Sequence, residues 1–161
     1  MVSKTKSSNG AAGLRARIEG TVFAGGMPRT LGVRLISVSK KKVVAELPIR
    51  SKHINFSGSV NGGAIMAFGD VLGAAGAVAN RPPGYRGGTL ESKTNFFTAG
   101  RGPVLTGVSI PLHIGRTTSV WQTTIKNPDG RRVAIVTQTQ MALPAESRAG
   151  DAAKKSTVRR K

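Results

Sequence analysis

Asp70 is the one ionisable residue between positions 54 and 80, a run otherwise built from small, apolar and uncharged polar side chains. A carboxylate without a partner in such company costs several kcal/mol unless it finds a hydrogen-bond donor, a cation or a proton. A core with no use for it would hold another alanine. Upstream lies the doublet Gly62-Gly63, preceded by Asn61. If the doublet opens a helix, its N–H groups lack intrahelical partners and sit at the positive end of the helix dipole, where they can polarise an acyl carbonyl. One such donor contributes about 3 to 4 kcal/mol in an acyl-transfer transition state. The plainer alternative is an ordinary helix start with Asn61 as its cap. Hydrolysis of an acyl derivative needs a base or nucleophile, an oxyanion site and a held water, and Asp70 with the glycine doublet fills the first two places.

The elements that position these groups follow from patterning. Residues 33–39 alternate and 43–47 are mostly apolar, with Lys40-Lys41-Lys42 as a hairpin break between two strands. A polar loop over 48–58 carries His53, Asn55 and Ser57, and a helix over 62–80 is stopped by Arg81-Pro82-Pro83-Gly84. Stretches 88–97, 104–113, 119–126 and 132–143 are rich in Thr and β-branched residues, with Asn127-Pro128-Asp129-Gly130 as a turn between the last two. The pattern is two strands, one helix, four strands. A helix apolar on nearly all sides must be wrapped by the sheet. Gly63, Gly69, Gly73 and Gly76 each cost that helix about 1 kcal/mol relative to alanine, for which close packing is the expected compensation. The fold class is α+β, a curved antiparallel sheet around one long central helix.

With 161 residues the chain suits one domain. The absence of cysteine excludes thiol chemistry and Cys-ligated metals and fits a reducing compartment, with a cytoplasmic location expected. Two histidines do not suit a zinc enzyme. A formal charge of +18 first suggests nucleic acid, but four basic groups fall in residues 1–17 and six in 148–161, within segments rich in Ser, Gly and Ala. No RNP, KH or zinc-finger spacing accompanies them, so specific nucleic-acid binding is not expected. Residues 1–20 and 145–161 read as basic, unstructured tails flanking a domain over 21–144. The N-terminal stretch, free of acidic residues until Glu19, loosely resembles a transit peptide and lacks a signal-peptide hydrophobic region. No strongly apolar, charge-free span approaching 18 residues is read, so no membrane crossing is expected.

The segment His53-Ile54-Asn55-Phe56-Ser57-Gly58-Ser59-Val60-Asn61-Gly62-Gly63, with Asp70 nine places after Asn61, resembles the PaaI-like acyl-CoA thioesterases of the hotdog superfamily. That family carries H-x-N-x-x-G-x-x-H-G-G and an acidic residue nine places after the second histidine; Asn61 stands where the family has histidine. The stretch from Gly115 through Arg116 to Gln122 and the strand ending Thr137-Gln138-Thr139-Gln140 are also similar to it. The resemblance runs from about Leu31 to Leu143.

It implies a hotdog fold and hydrolysis of a small aryl- or acyl-CoA to the free acid and coenzyme A. Asp70 would act as general base or nucleophile, Gly62 and Gly63 as oxyanion donors, and Asn55 near the acyl carbonyl. Thr89, on the strand after the helix, would help hold water. Glu91 shares that strand and, by period two, the same face, as a second acidic candidate, with an exposed ion-pair partner as the alternative that its type favours. His53 matches the motif as a substrate contact. The phosphates of coenzyme A want Arg or Lys at the cleft rim. Arg116, in its Gly-Arg-Thr turn, is the first choice, with Lys126, Arg101 and Lys93 as further candidates. Trp121 and His113 read as structural. No cofactor is implied beyond the coenzyme A of the substrate. Asp70 lies about 11 Å along the helix from its start at roughly 1.5 Å per residue, so one carbonyl cannot touch both groups of one chain. A two-fold pair of antiparallel helices would join them across chains, and the family implies homodimers, often paired into homotetramers. The alternatives are a non-catalytic hotdog protein that binds acyl-CoA and a basic nucleic-acid-associated protein.

Overall fold

The computed structural model describes residues 5–145. In chain order the elements are α1 (Thr5–Glu19), α2 (Gly26–Leu31), β1 (Arg34–Ser39), β2 (Lys42–Pro48), a 3-10 turn (Ser51–His53), α3 (Gly62–Asn80), β3 (Tyr85–Phe96), β4 (Val104–Ile114), β5 (Thr118–Lys126) and β6 (Arg132–Pro144). The six strands form one sheet in the order β1-β2-β4-β5-β6-β3, antiparallel throughout, and α3 packs into it. This is the hotdog arrangement, with β1 and β3 as its two edges.

Alternation places one set of side chains on the helix. Val43, Ala45 and Leu47 of β2, Leu105 of β4, Trp121 and Ile125 of β5 and Val136 of β6 are fully buried against Phe68, Leu72 and Ala75 of α3. The slim helix is explained by three approaches on one face. A Cβ at Gly69 would lie 2.5 Å from Val136, at Gly73 2.3 Å from Gln138 and at Gly76 2.5 Å from the Trp121 ring. At these three positions glycine lets the helix sit in the sheet. The turn at Asn127-Pro128-Asp129-Gly130 forms as expected, with Gly130 at φ +83° and its N–H bonded to the Asn127 carbonyl at 3.0 Å.

Two expectations need correction. Residues 1–20 are not a tail throughout, because Thr5–Glu19 is helical and Ile18 is fully buried in the core. Arg15 fixes this helix to the edge strand by donating to the carbonyls of Leu35 and Ile36 at 3.1 and 2.8 Å. Leu14 and Ile18, one turn apart, are its inward face, too narrow an apolar signal to stand out among glycines and cations. The C-terminal tail lies, apart from Ala145, outside the described residues. The second correction concerns α3, whose 19 residues are long and apolar enough by length and composition to cross a membrane; half of its apolar window is buried within the fold, as in a core helix.

Candidate active site

Asp70 projects from the middle of α3 toward β3 and β6, and it is partly buried. Its Oδ1 accepts from the Thr89 hydroxyl at 3.0 Å and from Gln138 Nε2 at 3.2 Å. The same Gln138 nitrogen reaches the Asp70 carbonyl at 3.3 Å. Gln140 Nε2 donates to the Thr89 hydroxyl at 2.8 Å, so that hydroxyl directs its own hydrogen to the carboxylate. Oδ1 is thus held by two donors, while Oδ2 has no bond among the described residues. Neighbouring dipoles supply the partner that the isolated carboxylate requires.

Thr89 therefore holds the carboxylate itself. The structure separates it from Glu91. Leu90 forms a bulge between the pairs Thr89↔Gln140 and Glu91↔Thr139, and after it Ser92 pairs with Gln138. One extra residue reverses the alternation. Glu91 shares the side of Thr139, opposite Gln138 and Gln140, and is exposed there, which corrects the expectation that it shares a face with Thr89.

The loop before α3 is tied by its own polar groups. Asn55 Oδ1 accepts from the N–H groups of Ser57 and Ser59 at 3.0 and 3.2 Å, closing a turn in which Gly58 takes φ +72°. Its Nδ2 has no bond among the described residues. His53, expected at the substrate, is 2% exposed, and its Nδ1 accepts the Arg50 N–H at 3.1 Å while its carbonyl accepts the Asn61 N–H at 2.7 Å. This imidazole supports the loop from beneath. Burial first, then the charges of Lys52 and Arg50, hold its pKa below the ordinary value, and the accepted N–H requires Nδ1 to be unprotonated.

Asn61 caps α3, its Oδ1 accepting the Gly63 N–H at 2.7 Å. That bond divides the doublet, since Gly63 spends its N–H on the cap whereas Gly62 keeps a first-turn donor with no intrahelical partner. Gly62 borders a hollow of about 350 Å³ shared with Ile65, Phe96 and Phe97, and a Cβ added there would sit 3.4 Å from the Phe96 ring.

On the other side of Thr89, a cleft of about 150 Å³ runs between the second half of α3, the start of β3 and the β4–β5 turn. Thr89, Gln140 and Arg116 all line it, which brings the first-choice phosphate contact to the carboxylate network. Lys126 faces the outside of the sheet beside Thr124 and Arg132, and Arg101 sits in an exposed loop whose backbone is held by Asn127, so within one chain neither joins that cleft. Lys93 lies exposed on edge strand β3. Trp121 is buried, its Nε1 bonded to Ser119. Gln138 and Gln140 were missed as site residues. The strand that carries them, Thr137-Gln138-Thr139-Gln140, is similar to the family, but that likeness assigns neither side chain a role and its alternation reads equally as a solvated face.

Comparison with known proteins bears on the family and the fold. The model of the thioesterase superfamily matches residues 57–134, which include the cap, the doublet and Asp70. The proofreading thioesterase EntH of Cronobacter sakazakii is 30% identical over 109 residues, 67% of this chain and 79% of that protein. A hypothetical thioesterase protein from Streptococcus pneumoniae TIGR4, solved with coenzyme A, superposes with a TM-score of 0.64 at 28% identity, over 71% of this chain and 88% of that one. The PaaI protein of E. coli, from its phenylacetic acid degradation operon, shares the fold with a TM-score of 0.76 at 18% identity, over 84% of this chain and 96% of that one.

Proposed function

The chain belongs to the thioesterase superfamily, as a PaaI-like hotdog member and a thioester hydrolase, and from that premise we propose that it cleaves a small aryl- or acyl-CoA to the free acid and coenzyme A. The observation that carries this reading is the posture of Asp70, with Oδ1 fixed by Thr89 and Gln138 and Oδ2 left for chemistry. Oδ2 takes a proton from water as the water oxygen bonds to the thioester carbon. The carbonyl electrons move to oxygen, where a Gly62 N–H receives the developing charge. When the carbonyl reforms, the C–S bond breaks and the proton held by Asp70 passes to the leaving sulfur, giving acid and thiol. Direct attack by Oδ2, through a mixed anhydride, uses the same atom; after single turnover in heavy-oxygen water, label in Asp70 marks that route, entering when water opens the anhydride at the Asp70 carbon. No cofactor enters either route.

Two chains make this site in our reading. Gly63, Met66, Ala67, Asp70, Ala74 and Ala77 recur at helical spacing as the incompletely buried stripe of α3, with the carboxylate near its middle. Strand β3 offers 12 residues as a sheet edge, exposed along nearly its whole length, and a long free edge is a surface for pairing. A second copy seated there with its α3 antiparallel brings its Gly62 amide to Asp70.

Asp70→Asn tests the assignment. It keeps size and removes the base, so turnover should fall about a thousandfold, with an unchanged circular dichroism spectrum and association state. Near-normal turnover would leave Asp70 a structural group. A panel of aryl- and acyl-CoA thioesters, followed by free thiol release, identifies the acyl group.

A further inference from the structure

We propose that Arg81, at the end of α3, anchors a phosphate-binding site for the coenzyme A handle, an inference that rests on the acyl-CoA reading above. Among the described residues Arg15 pairs with Glu19, Arg34 with Glu46 and Arg131 with Asp129, whereas no carboxylate there pairs with Arg81. Its Nε is buried without an acceptor among the described residues. Such a donor is costly to leave unmet, which marks a place for an anion.

The surroundings have one sign. Arg81 lines the cleft that holds Thr89, Gln140 and Arg116, and it also lines an adjoining hollow of about 520 Å³ with Arg17 and Lys40. Among the described residues no Asp or Glu lines either space. A helix C-terminus favours a nearby cation, which accounts for one such group but not for four drawn from separate elements. Specific bonds bring them together: Arg17 Nη2 donates to the Arg81 carbonyl at 3.0 Å, and Asn80 Nδ2 holds the Lys40 carbonyl at 2.9 Å. A Cβ at Gly87 would sit 2.2 Å from the Met141 carbonyl of the paired strand and 3.2 Å from Arg81 Nη1, so glycine lets both stand close there.

Distance selects the ligand. Arg81 follows Asp70 by eleven residues of helix, about 16 Å at 1.5 Å per residue, comparable with the reach of an extended pantetheine arm between thioester and pyrophosphate. A thioester at Asp70 therefore puts a phosphate of coenzyme A at Arg81, with Arg116 on the rim of the same cleft. The fork of Arg81 suits that group better than a lysine would.

The test compares one acyl group presented as its CoA thioester and as its N-acetylcysteamine thioester, which lacks every phosphate. Arg81→Gln should raise KM for the CoA thioester about tenfold, the weight of a charge-assisted bond, and should shift the ratio of kcat/KM between the two substrates by the same factor. Arg81→Lys should fall between. Equal losses on both substrates, or no loss on either, would overturn the proposal, the first by making Arg81 a support of the helix end. Calorimetry of free coenzyme A with the full chain decides independently of turnover. If wild-type protein cleaves no thioester but binds coenzyme A at least tenfold more tightly than Arg81→Gln, the hydrolase reading fails and the anion site stands; equal affinities remove the site. Dephospho-coenzyme A distinguishes the sources: if it binds the variant as weakly as coenzyme A does, the pyrophosphate is the ligand, and if its affinity ignores the variant, the 3′-phosphate is.

Discussion

In the proposed reaction Asp70 keeps Oδ1 for structure and Oδ2 for chemistry, so the donors on Oδ1 would decide how well the other oxygen is aimed. Thr89→Ala removes one of them and leaves Gln138 in place. A hydrogen bond to a charged group contributes about 1.5 to 3 kcal/mol, so kcat should fall at least tenfold, less than for Asp70→Asn, with KM little changed. An unchanged kcat would assign Thr89 to packing. The sequence isolates Asp70 because nothing else charged surrounds it, and spacing points to Thr89. Glu91 defeats the same logic because the Leu90 bulge cannot be read from residue types. His53 was legible by motif, yet its role was not, since burial under a loop leaves no trace in spacing. Its pKa is lowered on folding, so the unfolded chain binds the proton more readily and stability rises with pH. The His53 contribution is therefore complete above the ordinary histidine value near 6.5 and is lost as pH falls below it toward the folded value. Melting temperature should drop between about pH 7.5 and 5.5, and His53→Asn, which can still accept the Arg50 N–H, should flatten that slope. A slope that survives the substitution would place the titrating group elsewhere.

Helix α3 was legible as an element because an Asn-Gly-Gly start and an Arg-Pro-Pro-Gly stop bracket an apolar run, and its glycines announced close packing without naming the partners. Tertiary pairing cannot be read from one helix; the structure supplies Val136, Gln138 and Trp121. Helix α1 was illegible for the opposite reason, since its tie to the fold is Ile18 and the reach of Arg15 to β1 rather than a pattern of its own. Two alanine substitutions separate these cases by sign. At Gly76 the added Cβ would lie 2.5 Å from the Trp121 ring, so overpacking of about 1 to 3 kcal/mol outweighs a helix-propensity gain of about 1 kcal/mol, and the protein should melt lower. At Gly13 nothing lies within 4 Å of the added methyl, so the propensity gain stands and the protein should melt higher. Thermal melts of both variants check the pair. No rise for Gly13→Ala would mean that α1 contributes nothing to the folded domain.

At the scale of the whole molecule, the fold and the arithmetic of one helix meet. Gly62 and Asp70 are eight residues apart on a rigid element, so the only way to use both on one carbonyl is to take them from different chains. The uncovered stripe of α3 and the free edge of β3 lie on surfaces that such a pairing would close. The expected outcome is complementation between two inactive proteins. Asp70→Asn lacks the base, and Gly62→Leu places a side chain between the helix start and Phe96, 3.4 Å from where its Cβ would begin. Each homodimer carries one lesion in both of its sites. A mixed dimer has one site with both lesions and one with neither, so each heterodimer should recover about half the activity of a wild-type dimer. Recovery must wait for subunit exchange, which differently tagged chains and a native mass spectrum can time. Inactive heterodimers, from mutants that both remain folded, would return the glycine doublet to the role of an ordinary helix start capped by Asn61.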